Sequence, residues 1–147
     1  MRPRHGIALA LLTVAMSAPH GATASTDCRG APVADPAHRL HPCADRPNCV
    51  STEHADPARR LAAPSAVDLP RLRAAILAEP RSTVIAEGEG WLWVHFRSRL
   101  FGFVDEAHFI LRPDGTLAAR SGACSGYSDF GVNRRRLERI FARLDGG

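Results

Sequence analysis

The sequence predicts an α+β fold in which a four-stranded antiparallel meander is flanked by an N-terminal and a C-terminal helix, in the order α-β-β-β-β-α. Two observations lead to this prediction. Four short segments rich in β-branched and aromatic residues follow one another with turn residues between them. Segments with apolar residues at helical spacing stand before and after them. The length of 147 residues fits one domain.

Each predicted helix has recognisable signals. The first begins after Asp68, a favoured N-cap residue, with Pro70 in its first turn. Leu72 and Ile76 share one face, and Pro80 ends the helix because the residue before a proline is pushed out of the α region. The last helix is indicated by apolar residues at helical spacing, namely Val132, Leu137, Ile140, Phe141 and Leu144.

The four strands are predicted at 82–86, 91–98, 103–111 and 116–121. The second and third are joined by Leu100-Phe101-Gly102, which suits a three-residue hairpin with its glycine in the left-handed conformation. This connection predicts the register of the two strands. The expected neighbours are Arg97 with Asp105, Trp93 with Phe109 and Trp91 with Leu111.

The predicted register has two consequences. His95 and His108 are expected on opposite faces of the sheet, where they do not share a metal ion. Both faces are apolar along much of their length, and two helices cover only one of them. We therefore expect the other face to be covered in part by the cysteine-containing N-terminal segment, by a partner or by a ligand.

The first 24 residues have the three-part organisation of a signal peptide. Two arginines precede an apolar run of about 11 residues, too short to cross a bilayer, and Ala22-Thr23-Ala24 fits a cleavage site. We therefore expect an exported chain, periplasmic or secreted, that starts at Ser25 and has no transmembrane segment. An extended cysteine-containing segment at 25–66 is expected to precede the α+β domain at 67–145.

Cleavage leaves a nearly neutral chain. It removes Arg2 and Arg4 and no acidic residue, so 17 of the 19 basic residues remain against 15 acidic ones, a net charge of +2. With that charge, outside the cytoplasm, we expect no nucleic-acid partner. The run Arg134-Arg135-Arg136 is interpreted as the solvated side of the last helix. We expect a monomer without a cofactor.

The chain has four cysteines: Cys28, Cys43, Cys49 and Cys124. In an oxidising compartment an even count predicts two disulfides, for which three pairings are possible. Cys43 and Cys49 bracket a loop short enough to close on itself. The alternative is a metal site that also uses His38 and His41, but the cysteine spacing is wider than that of structural zinc sites. We therefore expect no metal site.

Polar residues around the hairpin and before the last helix form the candidate ligand or anion site: Arg97, Ser98, Arg99, Asp105, Tyr127, Ser128, Asp129 and Asn133. Arginine binds carboxylate or phosphate with two parallel hydrogen bonds, and a helix N-terminus exposes amides to anions. The structural alternatives are a cross-strand ion pair, Ser128 or Asp129 as N-cap, and a buried Asn133 amide that holds the 127–129 loop. The 126–131 segment lacks the spacing of a nucleophile elbow.

Three motifs resemble the domain-of-unknown-function family 1499: PNCVS at 47–51, FRSRLFGFVD at 96–105 and GYSDFGVNR at 126–134. The resemblance runs from about Cys43 to Leu144 and implies no particular chemistry, because we know of no established activity in the family. It includes the cysteines at 43 and 49. Cys28 lies outside it, and Cys124 stands where the family is expected to have arginine. The resemblance therefore implies the pairs Cys28–Cys124 and Cys43–Cys49.

The sequence thus predicts an exported protein of unknown biochemical function. The preferred class is a cell-envelope binding or accessory module for a small ligand or an envelope component. One alternative is a small hydrolase-type enzyme that uses the 127–129 loop with Arg97 and Asp105. The other is a purely structural or interaction protein. A concave site with converging polar groups favours the enzyme.

Overall fold

The computed structural model describes residues 28–30 and 39–146. The predicted signal peptide, its cleavage site and His38 lie outside these residues. The elements in chain order are β1 (Cys49–Ser51), a short 3-10 helix (Pro57–Arg59), α1 (Leu69–Leu77), β2 (Ser82–Gly88), β3 (Trp91–Arg97), β4 (Val104–Leu111), β5 (Leu117–Ala123) and α2 (Val132–Asp145). None of the described helices is long and apolar enough to span a membrane.

The strands form one antiparallel sheet in the order β1-β5-β4-β3-β2. The α+β class is confirmed, but the sheet has five strands rather than the predicted four. The extra strand, β1, comes from the segment that we expected to be extended and loop-like. It pairs with β5, and Val50 lies opposite Ser121. The motif at 47–51 therefore contributes an edge strand.

The two helices begin in different ways. Asp68 caps α1 as predicted, because its side chain accepts a hydrogen bond from the backbone N–H of Arg71. At the start of α2 the N-cap position is held by Gly131, whose φ is 74°. Asp129 lies two residues earlier and accepts from the backbone N–H groups of Gly131 and Asn133. Asp129 therefore satisfies the first turn of α2 from outside the helix.

Both helices pack on the same face of the sheet, which we call the helix face. The core between them is apolar and includes Leu72, Ile76, Leu92, Val94, Phe96, Phe109, Leu137 and Ile140. Full burial of a side chain of this size contributes about 1.5–3 kcal/mol. Glu79, just after α1, accepts hydrogen bonds from Arg139 and Arg143 of α2 and so ties the helices together.

The predicted register of β3 and β4 is wrong by one residue. Arg97 pairs with Val104 and Phe96 with Asp105, so Arg97 and Asp105 lie on opposite faces. The expected partners of Trp93 and Trp91 are likewise replaced by their neighbours.

The loop explains the difference. Ser98 and Phe103 close it with two hydrogen bonds. The backbone N–H of Ser98 donates to the carbonyl of Phe103 at 2.8 Å, and the backbone N–H of Phe103 donates to the Ser98 hydroxyl at 3.0 Å. Four residues, rather than three, therefore lie between them, and Gly102 has a positive φ as predicted. A shift of one residue exchanges the faces of a strand. The observed register places Phe109 opposite Leu92 in the core, which hydrophobic burial favours.

The other face of the sheet, which we call the outer face, carries the residues that alternate with the core. His95 lies opposite Glu106, and His108 lies opposite Trp93. The two histidines therefore share this face, and the prediction that they point to opposite faces is wrong.

Both expected disulfides are present, Cys28–Cys124 and Cys43–Cys49. The first holds residues 28–30, which we call the strap, against the outer face. Within the strap, the backbone N–H groups of Arg29 and Gly30 donate to the Glu106 carboxylate at 2.7 and 2.9 Å. The cysteine-containing N-terminal segment therefore covers part of the outer face, which is one of the three coverings that the sequence led us to expect.

Candidate functional site

The eight candidate residues are not brought together into one site. Arg97 and Asp105 are separated by the sheet, so they do not face a common anion. The hydroxyl of Ser98 accepts from the hairpin backbone, and Arg99 is exposed. The site of the hydrolase alternative, which needs Arg97 beside Asp105, is therefore not assembled.

The four candidate residues before and at the start of α2 also have separate surroundings. Tyr127 is exposed to solvent, and the hydroxyl of Ser128 accepts from the backbone N–H of Phe130. Asn133 is buried, and its amide donates to Asp129 at 2.9 Å while its oxygen accepts from the hydroxyl of Ser121. The structural alternative for Asn133, a buried amide that holds the loop before α2, is confirmed.

Arg136 is the centre of a buried polar network that the sequence did not reveal. Its guanidinium donates to Asp105 at 2.8 Å and to the side-chain oxygen of Asn133 at 2.9 Å, and it lies 4.4 Å from the ring centroid of Phe96. The side chain is almost fully buried. The interpretation of the 134–136 run as solvated is therefore wrong for Arg136, and the network holds α2 against the start of β4.

The two loops that carry the other candidates leave the same end of the sheet. Residues 98–103 join β3 to β4, and residues 124–131 follow β5, whose last residue Ala123 pairs with Asp105. The backbone N–H of Cys124 also donates to the carbonyl of Val104 at 2.9 Å. We call these two loops together the loop end. It presents large apolar side chains to solvent: Leu100 (80% exposed), Phe101 (76%), Phe103 (59%), Tyr127 (73%) and Phe130 (86%).

The charges around the loop end are predominantly basic. The exposed arginines there are Arg81, Arg97, Arg99 and Arg135. Arg81 belongs to this end because its guanidinium donates to the carbonyl of Arg97, and Arg135 belongs because it donates to the carbonyl of Phe130. The acids of this region are engaged, since Asp129 accepts backbone and amide hydrogen bonds and Asp105 is paired with a buried arginine.

A second cluster of polar residues lies buried on the outer face. Glu106, His108 and Arg120 are each less than 5% exposed. Arg120 lies 3.3 Å from Glu106, and the indole N–H of Trp93 donates to the same carboxylate at 3.1 Å. Together with the two bonds from the strap, these contacts satisfy a carboxylate that burial alone would penalise.

Burial also governs the titration of this cluster. Burial lowers the pKa of His108 to about 4, with further lowering by the Arg120 charge, against the opposing effects of Glu106 and the Gly30 backbone. His108 is therefore neutral near pH 7. Burial likewise lowers the pKa of His95, and the charge of Arg97 adds to this while Glu106 opposes it.

The sequence contained a signal for this cluster. Glu106 and His108 alternate along a predicted strand, and Arg120 lies in the next one, so all three share a face once the register is known. The predicted register placed His108 on the helix face, where a cluster with His95 is impossible.

One open cleft, of about 320 Å³, lies between the segment after the 3-10 helix and α2. It is lined by Arg60, Leu61, Ala62, Arg134, Glu138, Phe141, Ala142 and Asp145. None of the eight candidate residues lines it, so this cleft is not the concave site that the enzyme alternative requires.

Comparison with known proteins identifies a family but no characterised relative. A search of curated proteins and a search of solved structures each found no match. The family model described as "Protein of unknown function (DUF1499)" matches residues 39–144, which include all the described strands and helices except the last residue of α2. The chain therefore belongs to the DUF1499 family.

Proposed function

We propose that this chain is an exported binding module that docks on an anionic lipid surface of the cell envelope through its loop end. The observation that carries the proposal is the group of five large apolar side chains exposed on two adjacent loops. Exposed apolar groups of this kind mark interaction surfaces, because leaving them in water is unfavourable.

The composition of the loop end favours a lipid surface over a protein partner. Phenylalanine and leucine side chains enter the boundary between headgroups and acyl chains, and tyrosine places its ring there while its hydroxyl stays hydrated. The four exposed arginines around them complement negatively charged headgroups, and each contributes about 1 kcal/mol near such a surface. Of the neighbouring acids, Asp105 is paired with the buried Arg136, and the Asp129 carboxylate is hydrogen-bonded to the start of α2, so the arginines outnumber the acids without an arginine partner.

The first 24 residues support the part of the proposal that concerns export. The arginine-containing start, the short apolar run and the Ala22-Thr23-Ala24 sequence have the order of a cleavable signal. A chain delivered across the membrane reaches the lipid surface on its far side without a further targeting step.

Intact mass of the protein secreted by an exporting host is expected to correspond to a start at Ser25. A soluble product that retains residues 1–24 would contradict export.

Vesicle flotation tests the docking surface. The secreted protein is expected to float with vesicles of phosphatidylglycerol and phosphatidylcholine, and to stay behind with phosphatidylcholine alone. Burial of one phenylalanine contributes about 1.5–3 kcal/mol, so Phe101→Ser and Phe130→Ser are each expected to weaken the partition constant about tenfold or more. Arg99→Glu is expected to weaken it and to reduce its dependence on salt.

The matched control is Ile85→Ser. Ile85 is 41% exposed on β2, outside the loop end, so the change removes a similar exposed apolar group without touching the proposed surface. Its partition constant is expected to equal that of the unchanged protein. Absence of binding to the anionic vesicles, or equal losses in the control and the Phe101 variant, would show that the loop end does not bind lipid. A protein partner would then be the remaining occupant.

A further inference from the structure

Three metal-ligating atoms lie close together on the outer face. The Sγ atom of Cys28, a ring nitrogen of His95 and a carboxylate oxygen of Glu106 are all within 4.8 Å of one another. In a tetrahedral zinc site the bonds are about 2.0–2.3 Å, which places neighbouring ligand atoms about 3.3–3.8 Å apart. The three atoms therefore need to approach by at most about 1.5 Å, a movement within reach of side-chain rotation.

A fourth potential ligand atom is bonded to one of these three. The Sγ atom of Cys124 is bonded to that of Cys28. The four residues come from separate parts of the fold: His95 and Glu106 lie opposite each other on β3 and β4, and Cys124 directly follows β5. Two cysteines, one histidine and one carboxylate are ligand types that zinc accepts.

The histidine provides a second, independent observation. Its Nε2 atom is buried and has no hydrogen-bond partner among the described residues. A buried polar atom without a partner is costly and calls for an explanation, one of which is a ligand that is absent from the oxidised form. Beside it on the neighbouring strand, Glu106 uses its oxygens for the strap backbone, Trp93 and Arg120.

We propose that reduction of the Cys28–Cys124 disulfide converts this cluster into a zinc site with Cys28, Cys124, His95 and Glu106 as ligands. A dithiol reductant supplies two electrons and two protons, and its own two sulfurs form a disulfide, while the S–S bond of the protein breaks into two thiols. Zinc then binds both sulfurs as thiolates, and the two thiol protons go to solvent. This proposal departs from the expectation of no metal site, which considered the histidines near Cys43 and the pair of His95 with His108.

The charge balance of the site is reasonable for a buried position. Two thiolates and one carboxylate around Zn²⁺ leave a single net negative charge. The guanidinium of Arg120, which lies 3.3 Å from Glu106, offsets that charge. The strap that carries Cys28 is then held to the sheet by zinc in the reduced protein and by the disulfide in the oxidised protein.

Metal titration of the secreted protein tests the proposal. After reduction with a phosphine, the protein is expected to bind one Zn²⁺ per chain at the site, and Co²⁺ in its place is expected to give the absorption bands of tetrahedral thiolate coordination. Because the other cysteine pair is reduced as well, the same titration is repeated in the Cys43→Ser/Cys49→Ser variant. Zinc binding is expected to persist there, whereas the oxidised protein is expected to bind no zinc at this site.

Variants identify the remaining ligands. His95→Ala is expected to weaken zinc binding by more than about tenfold, since even loss of an outer partner of a zinc ligand has effects of 10–100-fold. His54→Ala is the matched control, because His54 lies in the loop after β1 and accepts from the backbone of Asp56. Its zinc affinity is expected to be unchanged.

Circular dichroism recorded during the titration separates binding from folding. A reduced chain that is unfolded and regains structure with zinc supports the site, because folding and metal binding are then coupled. A reduced chain that gives no response to zinc would overturn the proposal, whether folded or not. Equal zinc affinity in the His95→Ala variant and in the unchanged protein would also overturn it, as would equal binding by the oxidised protein.

Discussion

Removal of the Cys28–Cys124 bond is the perturbation with the largest expected effect on stability. The bond joins residues 96 apart in the sequence, whereas Cys43 and Cys49 are only 6 apart. A cross-link stabilises a protein mainly by restricting the unfolded chain, and the restriction grows with the length of the closed loop. The two disulfides of this protein therefore differ in the free energy of unfolding that they contribute.

The chain-entropy relation gives the size of this difference. A loop of this length corresponds to about 4.7 kcal/mol at 25 °C for Cys28–Cys124, and the short loop corresponds to about 2.4 kcal/mol for Cys43–Cys49. Loss of the first bond also releases the strap, so the two backbone hydrogen bonds from Arg29 and Gly30 to the buried Glu106 are lost with it. Glu106 then keeps only the donors from Trp93 and Arg120, and loss of the two strap bonds adds about 1–3 kcal/mol to the loss.

Urea unfolding of two matched double variants measures the difference. Cys28→Ala/Cys124→Ala is expected to lose about 6–8 kcal/mol, and Cys43→Ala/Cys49→Ala about 2 kcal/mol, relative to the oxidised protein. The midpoint of each transition is read by circular dichroism at constant pH. Losses that are equal, or larger for the short loop, would show that the strap is not held to the outer face in the way described.

Two buried groups give further predictions. Burial lowers the pKa of His108 to about 4, whereas its ordinary pKa is 6.5. When the pH falls below 6.5, the histidine therefore takes up a proton in the unfolded chain but stays neutral in the folded chain. The free energy of unfolding is therefore expected to fall by about 2 kcal/mol between pH 7 and pH 5 through this group, and His108→Gln is expected to remove that part of the slope in urea titrations. Burial opposes ionisation of Glu79, but the hydrogen bonds from Arg139 and Arg143 outweigh it and lower its pKa. Glu79→Gln is therefore expected to lower the free energy of unfolding by about 1–3 kcal/mol at pH 7. This loss disappears as the pH falls below about 4.5, the ordinary pKa of the group, and through its lowered pKa. A loss that persists at pH 3 would contradict the ion-pair explanation.

The parts of the fold that local sequence determines were predictable. Asp68 caps α1, Gly102 adopts a positive φ, and the four predicted strands lie within two residues of their expected bounds. These features depend on side chains acting on their own backbone or on the alternation of a single strand. The edge strand β1 was not predictable in the same way, because its three residues form a strand only by pairing with β5, which is distant in sequence.

Register was the point at which sequence reasoning failed, and the candidate site failed with it. A three-residue and a four-residue hairpin are both compatible with the same loop letters, and glycine at 102 fits either. The choice between them was settled by burial of Phe109 in the core, a tertiary effect. Once the register moves by one residue, Asp105 turns toward the buried Arg136, and Glu106 and His108 turn to the outer face.

The three family motifs divide into buried polar groups and exposed apolar groups, and this division bears on function. The amide of Asn48, from the first motif, donates to the carbonyl of Gly126 in the third at 2.6 Å. Asn133 holds the same loop from its other side, and the Asp105–Arg136 pair anchors β4 directly behind the hairpin loop.

The exposed residues of the same motifs make no comparable contribution to the fold. The rings of Phe101 and Phe103 pack against each other, 5.5 Å apart, while both remain open to solvent. A binding surface performs best when its contact residues are carried by a backbone that is held rigidly from behind, because less conformational entropy is then lost on binding. The buried hydrogen bonds supply that rigidity, and the exposed rings supply the contact, which is the arrangement that docking of the loop end on a lipid surface requires.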